Sequence, residues 1–446
     1  MRPQPAAVPA AQPPHTPDGP DGARLLHGWY ATGAPAGLAE HLQRYGPAPT
    51  ASGRRAAAWL IGAVEEAGLT GRGGAAFPTG RKLRSVAERR GRAVVVANGM
   101  ESEPASGKDA ALLDLAPHLV LDGAALAATA VGARAVHLCL ARTRPGQVER
   151  LTAAVEERRR AGLDRLPVRV HTLPHHYVSS EATSLVRWLN GGDARPSAAP
   201  PRAFEKGVGG RPTLVDNVET LAHLALIARY GPQWFRAAGT PDAPGTTLVT
   251  VCGAVRAPGV REIPLGTPVR AVLDAAGGAS EPLRAVLVGG YFGSWLPLAA
   301  TDLAFSPAGL AGAGAGPGAG VLAALPANTC GLAETARVLG YLGAQSARQC
   351  GPCRFGLPAV ADDFARLAGG RADPHLLERL RHRTGLLAGR GACRHPDGAS
   401  RLAATALDVF ADDVHHHVLH GPCGPAGRRT VLAVPDPVAP ESGGWR

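Results

Sequence analysis

The sequence of 446 residues predicts an α/β domain, followed by a small α+β module and a helical bundle. Three observations predict this order. In the first half, short apolar runs alternate with amphipathic helical stretches, which is typical of a largely parallel sheet. At 239–245 the composition changes to a stretch rich in glycine and proline, which indicates a linker. Beyond Cys330 the pattern is helical, and we predict a bundle there.

The α/β domain is built from strand and helix repeats. Each predicted strand is a short apolar run, and each predicted helix carries apolar residues on one face. The predicted strands lie at 93–97, 135–140 and 168–173, and the predicted helices at 36–45, 54–67, 110–130, 147–161, 181–189 and 217–230.

The second half contains two further units. Predicted strands at 246–252, 259–263 and 285–288 surround one helix at 269–276. The segment 308–325 is rich in glycine and alanine and is interrupted by Pro317, so it predicts a flexible connection. We therefore divide the chain into a disordered leader at 1–24, the α/β domain at 25–238, the module at 246–300, a linker with a strand at 301–328, the helical domain at 329–421 and a tail at 422–446.

The composition excludes several classes of protein. The net charge of +11 comes mainly from arginines spread evenly along the chain, so we discount nucleic acid as the main partner. No run of strongly apolar residues is long enough to span a membrane, and we expect no direct insertion. Seven cysteines in a chain of this size favour thiol or metal chemistry in the cytoplasm over a disulfide scaffold. Three of the 47 basic residues are lysines: Lys82, Lys108 and Lys206.

The first candidate site is the segment 71–80, which we call the glycine-rich segment. Gly71, Gly73 and Gly74 lack side chains, so their backbone amides can approach a phosphate or a flat ring closely. Lys82 follows as a cation for an anionic phosphate. The spacing matches neither the dinucleotide fingerprint nor the phosphate loop, and an ordinary turn is the alternative.

The second candidate site follows the first predicted strand. Asn98 begins a polar stretch at the carboxyl end of that strand, where open α/β sheets bind ligands. The alternative is a capped turn, in which Ser102 starts a helix and Glu103 lies in its first turn. Lys108 and Asp109 follow closely.

Together with the stretches at 177–183 and 212–220, these two segments resemble the NADH-binding flavoprotein subunit of respiratory complex I. The same family includes the flavin subunits of NAD-linked hydrogenases and formate dehydrogenases. The small module resembles the soluble-ligand-binding β-grasp domain (SLBB type) of that family, and the bundle resembles its iron–sulfur-binding domain. The resemblance extends over about 25–419, in the family's order.

The resemblance implies a flavin mononucleotide (FMN) held by the glycine-rich segment, and hydride or electron transfer at the flavin N5. It implies that Glu103, as the catalytic residue, favours placement of the donor and is not an acid–base catalyst. It places the following residues at cofactor-binding positions: Gly71, Gly73, Gly74, Phe77, Lys82, Asn98, Glu101, Ser102, Tyr177, Glu181, Asp216 and Asn217.

Several departures from the family pattern concern the dinucleotide. Met100 stands where the family has aspartate, and Ala182 where it has the second of two glutamates. Ala199 and Arg202 replace a lysine and a phenylalanine that help to hold the NADH adenine, and Ser85 replaces an aromatic residue. The residues at the flavin positions match the family, whereas several at the dinucleotide positions do not. The sequence therefore leaves undecided whether NADH is the electron donor.

The cysteines follow the family in part. Cys350, Cys353 and Cys393 match three of the family's four cluster ligands, and Ala347 stands in place of the first. A four-iron cluster ordinarily takes four thiolates, so a three-iron cluster or a four-iron cluster with a foreign ligand is expected. The candidates for a foreign ligand are Cys330, Cys423 and His395.

Two alternatives for the Cys350–Cys353 pair stay open. The pair, with its Gly-Pro spacer, also matches a thioredoxin dithiol, although that motif follows a strand and the residues before this one predict a helix. The second alternative is that the two cysteines are inert remnants of a cluster site. The run His415, His416 and His417, with His420, predicts a solvated helix face, because successive helical residues point in different directions.

The function that follows is that of an FMN-containing electron-transfer oxidoreductase. We expect electrons to pass from a reduced nicotinamide or another donor through the flavin to a ferredoxin-like iron–sulfur partner. The alternative is a non-catalytic electron-transfer or interaction subunit that does not use NADH. We expect a cytoplasmic protein, either free or peripheral to a membrane complex.

Overall fold

The computed structural model describes residues 23–49, 52–164, 166–198, 200–425, 430–436 and 444–446. The first described residues are already packed into the protein. Arg24 is 3% exposed, and its guanidinium donates a hydrogen bond of 2.9 Å to the backbone oxygen of Phe235. The predicted leader otherwise lies outside the described residues, and its predicted end at residue 24 falls within a packed segment.

The α/β domain contains a parallel sheet of four strands in the order β3-β2-β1-β4. Three of these strands lie within two residues of the predicted bounds. The fourth was not predicted, because only Leu214 and Val215 in it are apolar and its polar end reads as a loop. The strands are β1 (Val94–Gly99), β2 (Val136–Ala141), β3 (Val168–Leu173) and β4 (Thr213–Asn217).

Helices cover both faces of this sheet. They are α1 (His27–Thr32), α2 (Leu38–Tyr45), α3 (Arg54–Ala67), α4 (Thr79–Ala87), α5 (Lys108–Leu115), α6 (Pro117–Val131), α7 (Pro145–Arg160), α8 (Ala182–Leu189) and α9 (Val218–Arg236).

Helices α3, α6 and α9 form the main core on one face, and α8 packs on the other. The helix predicted at 110–130 is two helices, because Pro117 starts a new one. Gly123 allows α6 and α9 to cross closely, since a Cβ there would lie 1.8 Å from the backbone oxygen of Leu221.

The module contains a mixed sheet of five strands in the order β6-β5-β9-β7-β8. Its alternating side chains enter two cores: Val286 and Val288 of β7 pack on helices of the module, and Ala285 and Leu287 pack toward the C-terminal bundle. The elements are β5 (Thr246–Gly253), β6 (Gly259–Pro264), α10 (Val269–Ala275), β7 (Leu283–Val288), β8 (Ser294–Pro297), α11 (Pro307–Ala311) and β9 (Val321–Pro326).

The prediction of a flexible connection at 308–325 was wrong in part. The segment begins in α11, and it ends in β9, the middle strand of the five-stranded sheet. Strand β9 is fully buried, because it lies between the module core and the bundle. A strand was predicted within 301–328, but the small apolar residues of β9 gave too weak a signal to fix its bounds or its central position in the sheet.

In the part of the C-terminal region that the structure describes, five α-helices and a π-helical turn (Pro352–Gly356) form a bundle, as predicted. The α-helices are α12 (Gly331–Ala344), α13 (Leu357–Ala368), α14 (Leu376–Leu387), α15 (His395–Val409) and α16 (Ala411–His420). Among the described residues, no single helix has the length and apolar character of a membrane span. The pair α5 and α6 passes that test when taken together, but the two helices are bent by 97° at their junction.

Candidate functional site

The candidate flavin site lies where the carboxyl ends of β1 and β4 meet the glycine-rich segment. Asn98 and Asn217 are direct neighbours in the register of these two strands. The segment closes on itself through a hydrogen bond of 2.9 Å from the Gly71 amide to the backbone oxygen of Phe77. A Cβ on Gly73 would lie 3.4 Å from Cβ of Asn217, so the segment passes directly over the end of β4.

Arg72 anchors this segment and was missed by sequence reasoning. Its side chain is buried and points away from the strand ends, where it donates to the backbone oxygen of Thr246 at 3.1 and 3.3 Å. Its amide donates to the hydroxyl of Thr220 at 2.9 Å. The arginine therefore ties the glycines to the module.

Lys82 and Asp216 form an ion pair beneath the segment. The Lys82 Nζ lies 2.7 Å from Oδ1 of Asp216 and donates to the backbone oxygen of Val215 at 2.9 Å. The Lys82 side chain is 31% exposed, so its ammonium also faces solvent. Burial raises the pKa of Asp216, and the ammonium opposes that rise.

The polar stretch after β1 is not the start of a helix. The alternative in which Ser102 begins a helix is wrong, because α5 begins only at Lys108. Glu101 instead caps α5: its carboxylate accepts hydrogen bonds from the amides of Asp109 and Ala110 at 3.0 and 3.1 Å. Burial raises the pKa of Glu101.

Ser102 and Asn98 both hold the loop that follows β3. The Ser102 hydroxyl donates to the backbone oxygen of Tyr177 at 2.7 Å and lies 2.5 Å from the Ser180 hydroxyl. The Asn98 side chain donates to the backbone oxygen of Ser180 at 2.9 Å. The residues predicted from separate motifs are therefore brought together in one place.

Glu103 is buried in the same region. Its carboxylate accepts hydrogen bonds from the Tyr177 hydroxyl at 2.6 Å and from the Tyr291 amide at 2.9 Å. Burial raises the pKa of Glu103 to about 7, against the opposing effect of these donors. A Cβ on Gly290 would lie 2.7 Å from the carboxylate, so only glycine fits there.

A buried charge network joins the site to the module. The Lys108 ammonium lies 2.6 Å from Asp109 and 2.8 Å from Glu219, and all three side chains are buried. Asp109 accepts a hydrogen bond of 2.7 Å from the side chain of Asn217. Burial alone would lower the pKa of Lys108, but the two carboxylates hold it above its ordinary value. Glu219 accepts from the amide of Leu248 at 2.8 Å, which fixes the start of β5.

Glu181 caps α8 and does not extend toward the glycine-rich segment. Its carboxylate accepts from the amides of Thr183 and Ser184 at 2.8 and 3.3 Å. Burial raises the pKa of Glu181. The same carboxylate interacts electrostatically with Cys393, so the predicted flavin and cluster regions adjoin here.

The candidate cluster site is formed by two cysteine segments at helix N-termini. Cys350 lies just before a π-helical turn (Pro352–Gly356) that contains Cys353 and leads into α13, and Cys393 precedes α15. Partial positive charge at such helix starts favours a thiolate or an anionic cluster. Burial and the other two thiols raise the pKa of Cys353. The preceding element is α12, a helix, which does not fit the thioredoxin-type arrangement. Ala347 packs partly against the core of the bundle.

The segment 345–353, which carries Cys350 and Cys353 and is called the cysteine segment below, contacts the loop that carries Tyr177. The Gln345 side-chain oxygen accepts a hydrogen bond of 3.3 Å from the Tyr177 amide. Gln349 donates to the backbone oxygen of Pro196 at 2.8 Å and accepts from Arg187 at 3.0 Å. No sequence pattern singled out these glutamines, which hold the cysteine segment beside the candidate flavin site.

The predicted foreign ligands divide between two places. His395 is buried beside Cys393, and its Nε2 lies 2.8 Å from the backbone oxygen of Leu342. Cys330 lies at the other end of α12 from the cysteine segment, about 20 Å away at 1.5 Å per helical residue.

The histidine run is only partly a solvated face. His415, His416 and His420 are exposed, as expected, but His417 is fully buried, so the prediction was wrong for that residue. Its ring lies beside Cys330 and Cys423, at the end of α12 away from the cluster site.

The residues present fit a flavin. The Oδ2 of Asp216 and the hydroxyl of Thr79 are buried without a hydrogen-bond partner beside the glycine-rich segment, and the carboxylate oxygen can accept from a flavin hydroxyl or N–H group. Gly74 has a φ of +102°, a conformation that favours glycine, and a Cβ there would lie 3.5 Å from the backbone oxygen of Gly318. For the cluster, the donor set fits three of four thiolate positions and leaves the fourth, at Ala347, without a donor.

The positions expected to hold a dinucleotide are largely apolar or exposed. Met100 is buried in an apolar cluster with Val96 and Leu185, so it offers no polar group. The Ser85 hydroxyl donates to a backbone oxygen of its own helix. Arg202 is exposed, and Ala199 lies outside the described residues. Phe77 is 44% exposed and remains available to a ligand.

Three protein-family models match successive parts of the chain. The Nuo51 FMN-binding domain model matches residues 64–226, the SLBB domain model 248–290, and the NADH-ubiquinone oxidoreductase-F iron-sulfur binding region model 333–417.

Curated relatives match along most of the chain. The F subunit of NADH-quinone oxidoreductase from Mycobacterium tuberculosis is 32% identical over 82% of this chain and 85% of the relative. The F 2 subunit of the same enzyme from Rhizobium meliloti is 28% identical over 91% of this chain and 97% of the relative. The crystal structure of an NAD⁺-reducing [NiFe]-hydrogenase in the air-oxidised state superposes with a TM-score of 0.78 at 30% identity, and covers 89% of this chain and 67% of that one.

Proposed function

Because the chain belongs to the family of NADH-quinone oxidoreductase F subunits, we propose that it is an FMN-containing electron-transfer subunit. Electrons enter from a reduced donor at the flavin and leave through an iron–sulfur centre to a partner protein. The family resemblance and the fold class read from the sequence are both confirmed.

One observation carries this proposal. The glycine-rich segment, the Lys82–Asp216 pair, and the neighbours Asn98 and Asn217 converge at the carboxyl ends of β1 and β4. Parallel α/β sheets bind ligands at this edge. The cysteine segment adjoins that edge through Gln345. This arrangement supports a flavin site beside the cysteines, as electron transfer between flavin and cluster requires.

The chain's own groups have distinct tasks in this proposal. The amides of Gly73 and Gly74 line the ring and phosphate, and the Lys82 ammonium neutralises phosphate charge. Phe77 offers an exposed ring face for a donor. Bound FMN would supply the exchange of an electron pair for single electrons. Cys350, Cys353 and Cys393 would hold the iron–sulfur centre, and its fourth position requires a ligand other than a cysteine at residue 347.

A partner has an apolar surface to contact beside the cysteines. Phe355, two residues after Cys353, is 69% exposed, and Leu386 on the adjoining α14 is also exposed. Exposed apolar groups on adjoining elements are typical of interaction sites. We propose a ferredoxin-like iron–sulfur protein as the partner, docked close enough to the cysteines to take their electrons.

We place the protein in the cytoplasm, as a free or peripheral member of its complex. All seven cysteines are free thiols in the structure, which agrees with a reducing compartment.

The identity of the electron donor distinguishes a nicotinamide dehydrogenase from the alternative, an electron-transfer subunit that does not use NADH. Met100, Ser85 and Arg202 remove polar and aromatic groups that the family uses for the dinucleotide, which favours a subunit that does not use NADH. Phe77 and Glu103 are retained and favour NADH. Anaerobic addition of NADH or NADPH to the oxidised yellow protein decides between them. Rapid bleaching identifies a nicotinamide dehydrogenase. A protein that stays yellow, yet bleaches with dithionite, is an electron-transfer subunit with another donor.

A further inference from the structure

We infer that Cys330, His417 and Cys423 form a zinc-binding site with three protein ligands, separate from the iron–sulfur region. The Sγ atoms of the two cysteines and one ring nitrogen of the histidine all lie within 4.8 Å of one another. Among the described residues, this is the one such group of three potential ligands. Cys330 and His417 are buried, and Cys423 is partly exposed.

The histidine is held in the form that binds a metal. Its Nδ1 lies 3.1 Å from the backbone oxygen of Leu367, so Nδ1 carries the proton and donates it to that carbonyl. The Nε2 lone pair then faces the cysteines and accepts a hydrogen bond of 3.1 Å from the Cys423 amide. Metal-binding histidines in proteins commonly donate their second ring nitrogen to a backbone carbonyl in this way.

The distances suit a small ion with sulfur and nitrogen ligands. The Cys330 Sγ lies 3.7 Å from the His417 Nε2. Bond lengths of about 2.3 Å to sulfur and about 2.0 Å to nitrogen place tetrahedral ligands about 3.5 Å apart. Binding replaces the hydrogen bond from the Cys423 amide, and Gly421, with a φ of +86°, precedes that cysteine in a turn outside α16.

The charge of the donor set favours a divalent ion. Two thiolates and a neutral imidazole around Zn²⁺ carry no net charge, which suits a buried position, and binding releases the two thiol protons. The Cys330 sulfur also accepts the Ala333 amide at 3.4 Å, at the start of α12. Asp413, one turn before His417, is held 2.9 Å from Arg284, so we assign the fourth position to water reached from the exposed side of Cys423.

Such an ion would link the loop after α16 to the start of α12. Its ligands come from the start of α12, from α16 and from the loop after α16. The segment that follows also packs on α12: the Leu432 amide donates to Glu334 at 2.9 Å. The site therefore joins the first and last helices of the bundle, and this inference does not rest on the proposed electron transfer.

Metal content of the full-length protein tests the inference. Protein purified anaerobically under reducing conditions, treated with EDTA and reloaded with Zn²⁺, is passed through a desalting column and analysed for zinc and by native mass spectrometry. We expect one zinc per chain, reduced at least tenfold in Cys423→Ser. The variant His416→Ala changes an exposed histidine of the same helix and keeps the zinc. The double variant Cys350→Ser/Cys353→Ser also keeps it, which separates this site from the iron–sulfur region.

Cobalt titration of the double variant Cys350→Ser/Cys353→Ser, which lacks the competing thiols, provides a second readout. Tetrahedral thiolate coordination of Co²⁺ gives intense visible absorption, which added Zn²⁺ should abolish. Three results would overturn the inference: no zinc retained after desalting, zinc retained equally in Cys423→Ser, or a Cys330–Cys423 disulfide in the reduced preparation, seen as a mass lower by two hydrogens and no cobalt spectrum.

Discussion

The hydroxyl of Tyr177 donates a hydrogen bond of 2.6 Å to the carboxylate of Glu103, and both side chains are buried. Glu103 follows β1, whereas Tyr177 follows β3. The Tyr291 amide, from the module, donates to the same carboxylate at 2.9 Å. A single carboxylate therefore joins three segments of the two domains at the candidate flavin site.

Replacing Glu103 should change how stability depends on pH. Burial raises the pKa of Glu103 from 4.5 to about 7, so the folded state disfavours the ionised form. Stability is unaffected below pH 4.5 and falls as the pH rises toward 7, by about 3 kcal/mol at most. Glu103→Gln cannot ionise, so its free energy of unfolding should gain about 3 kcal/mol relative to wild type between pH 4.5 and pH 8.

Urea denaturation at several pH values measures this difference. Glu149→Gln, which alters an exposed carboxylate, is the control and should show no such change. A difference between Glu103→Gln and wild type that stays constant with pH would contradict the burial argument.

Lys82→Met should weaken flavin binding while the chain stays folded. The variant removes the ammonium beside Asp216 and leaves that buried carboxylate without its ion-pair partner. Loss of a charge-assisted hydrogen bond to a phosphate costs about 1.5–3 kcal/mol, so the Kd for FMN should rise about 10- to 100-fold. Fluorescence titration of the apoprotein with FMN measures it. Lys206→Met removes an exposed lysine and should bind as wild type; equal affinity in Lys82→Met would remove Lys82 from the site.

Lys108→Met should destabilise the fold. Lys108 is the buried cation between Asp109 and Glu219, and its loss leaves two buried carboxylates without a counter-charge. We expect a loss of about 3–5 kcal/mol in the free energy of unfolding. Urea denaturation beside Lys206→Met tests it. A loss below 1 kcal/mol, on the order of a surface change, would mean that the network is dispensable.

Ala347→Cys should supply the missing cluster ligand. Position 347 is partly buried beside Cys350, and a thiol there completes four cysteines. Iron per chain, measured after anaerobic reconstitution, should rise to about four, and the cluster should become more stable to air. Ala344→Cys adds an exposed thiol at the end of α12 and should change neither. Identical iron content and air sensitivity in Ala347→Cys and wild type would contradict the assignment.

The sequence predicts the order of the three units and most strand and helix positions, because apolar periodicity decides those elements locally. It misses β4 and β8, and it gives no bounds for the strand predicted within 301–328, which is β9, since short or alanine-rich strands are recognised only by the neighbours that bury them. The sequence singles out the glycine-rich segment and Asn98 as candidate site residues because each belongs to a recognisable pattern of neighbouring residues. Tyr291, Arg72 and Gln345 are not, because their roles depend on contacts between distant segments.

The same reason explains the outcome for His417. A run of histidines predicts a solvated helix face, and three of the four histidines are exposed as predicted. His417 instead packs against Cys330, 87 residues away in sequence, and that pairing has no local signature. Glu101 and Glu181 were predicted as flavin contacts from the resemblance. Their carboxylates cap α5 and α8 in the structure, and their contact with flavin stays a prediction.

The visible spectrum of the anaerobically purified, folded protein tests the central claim most directly. We predict the two absorption bands of an oxidised flavin, about one FMN per chain released on acid treatment, and additional broad absorption that dithionite removes with the iron–sulfur centre. A colourless protein that remains folded, and takes up no FMN when it is supplied, would contradict the account.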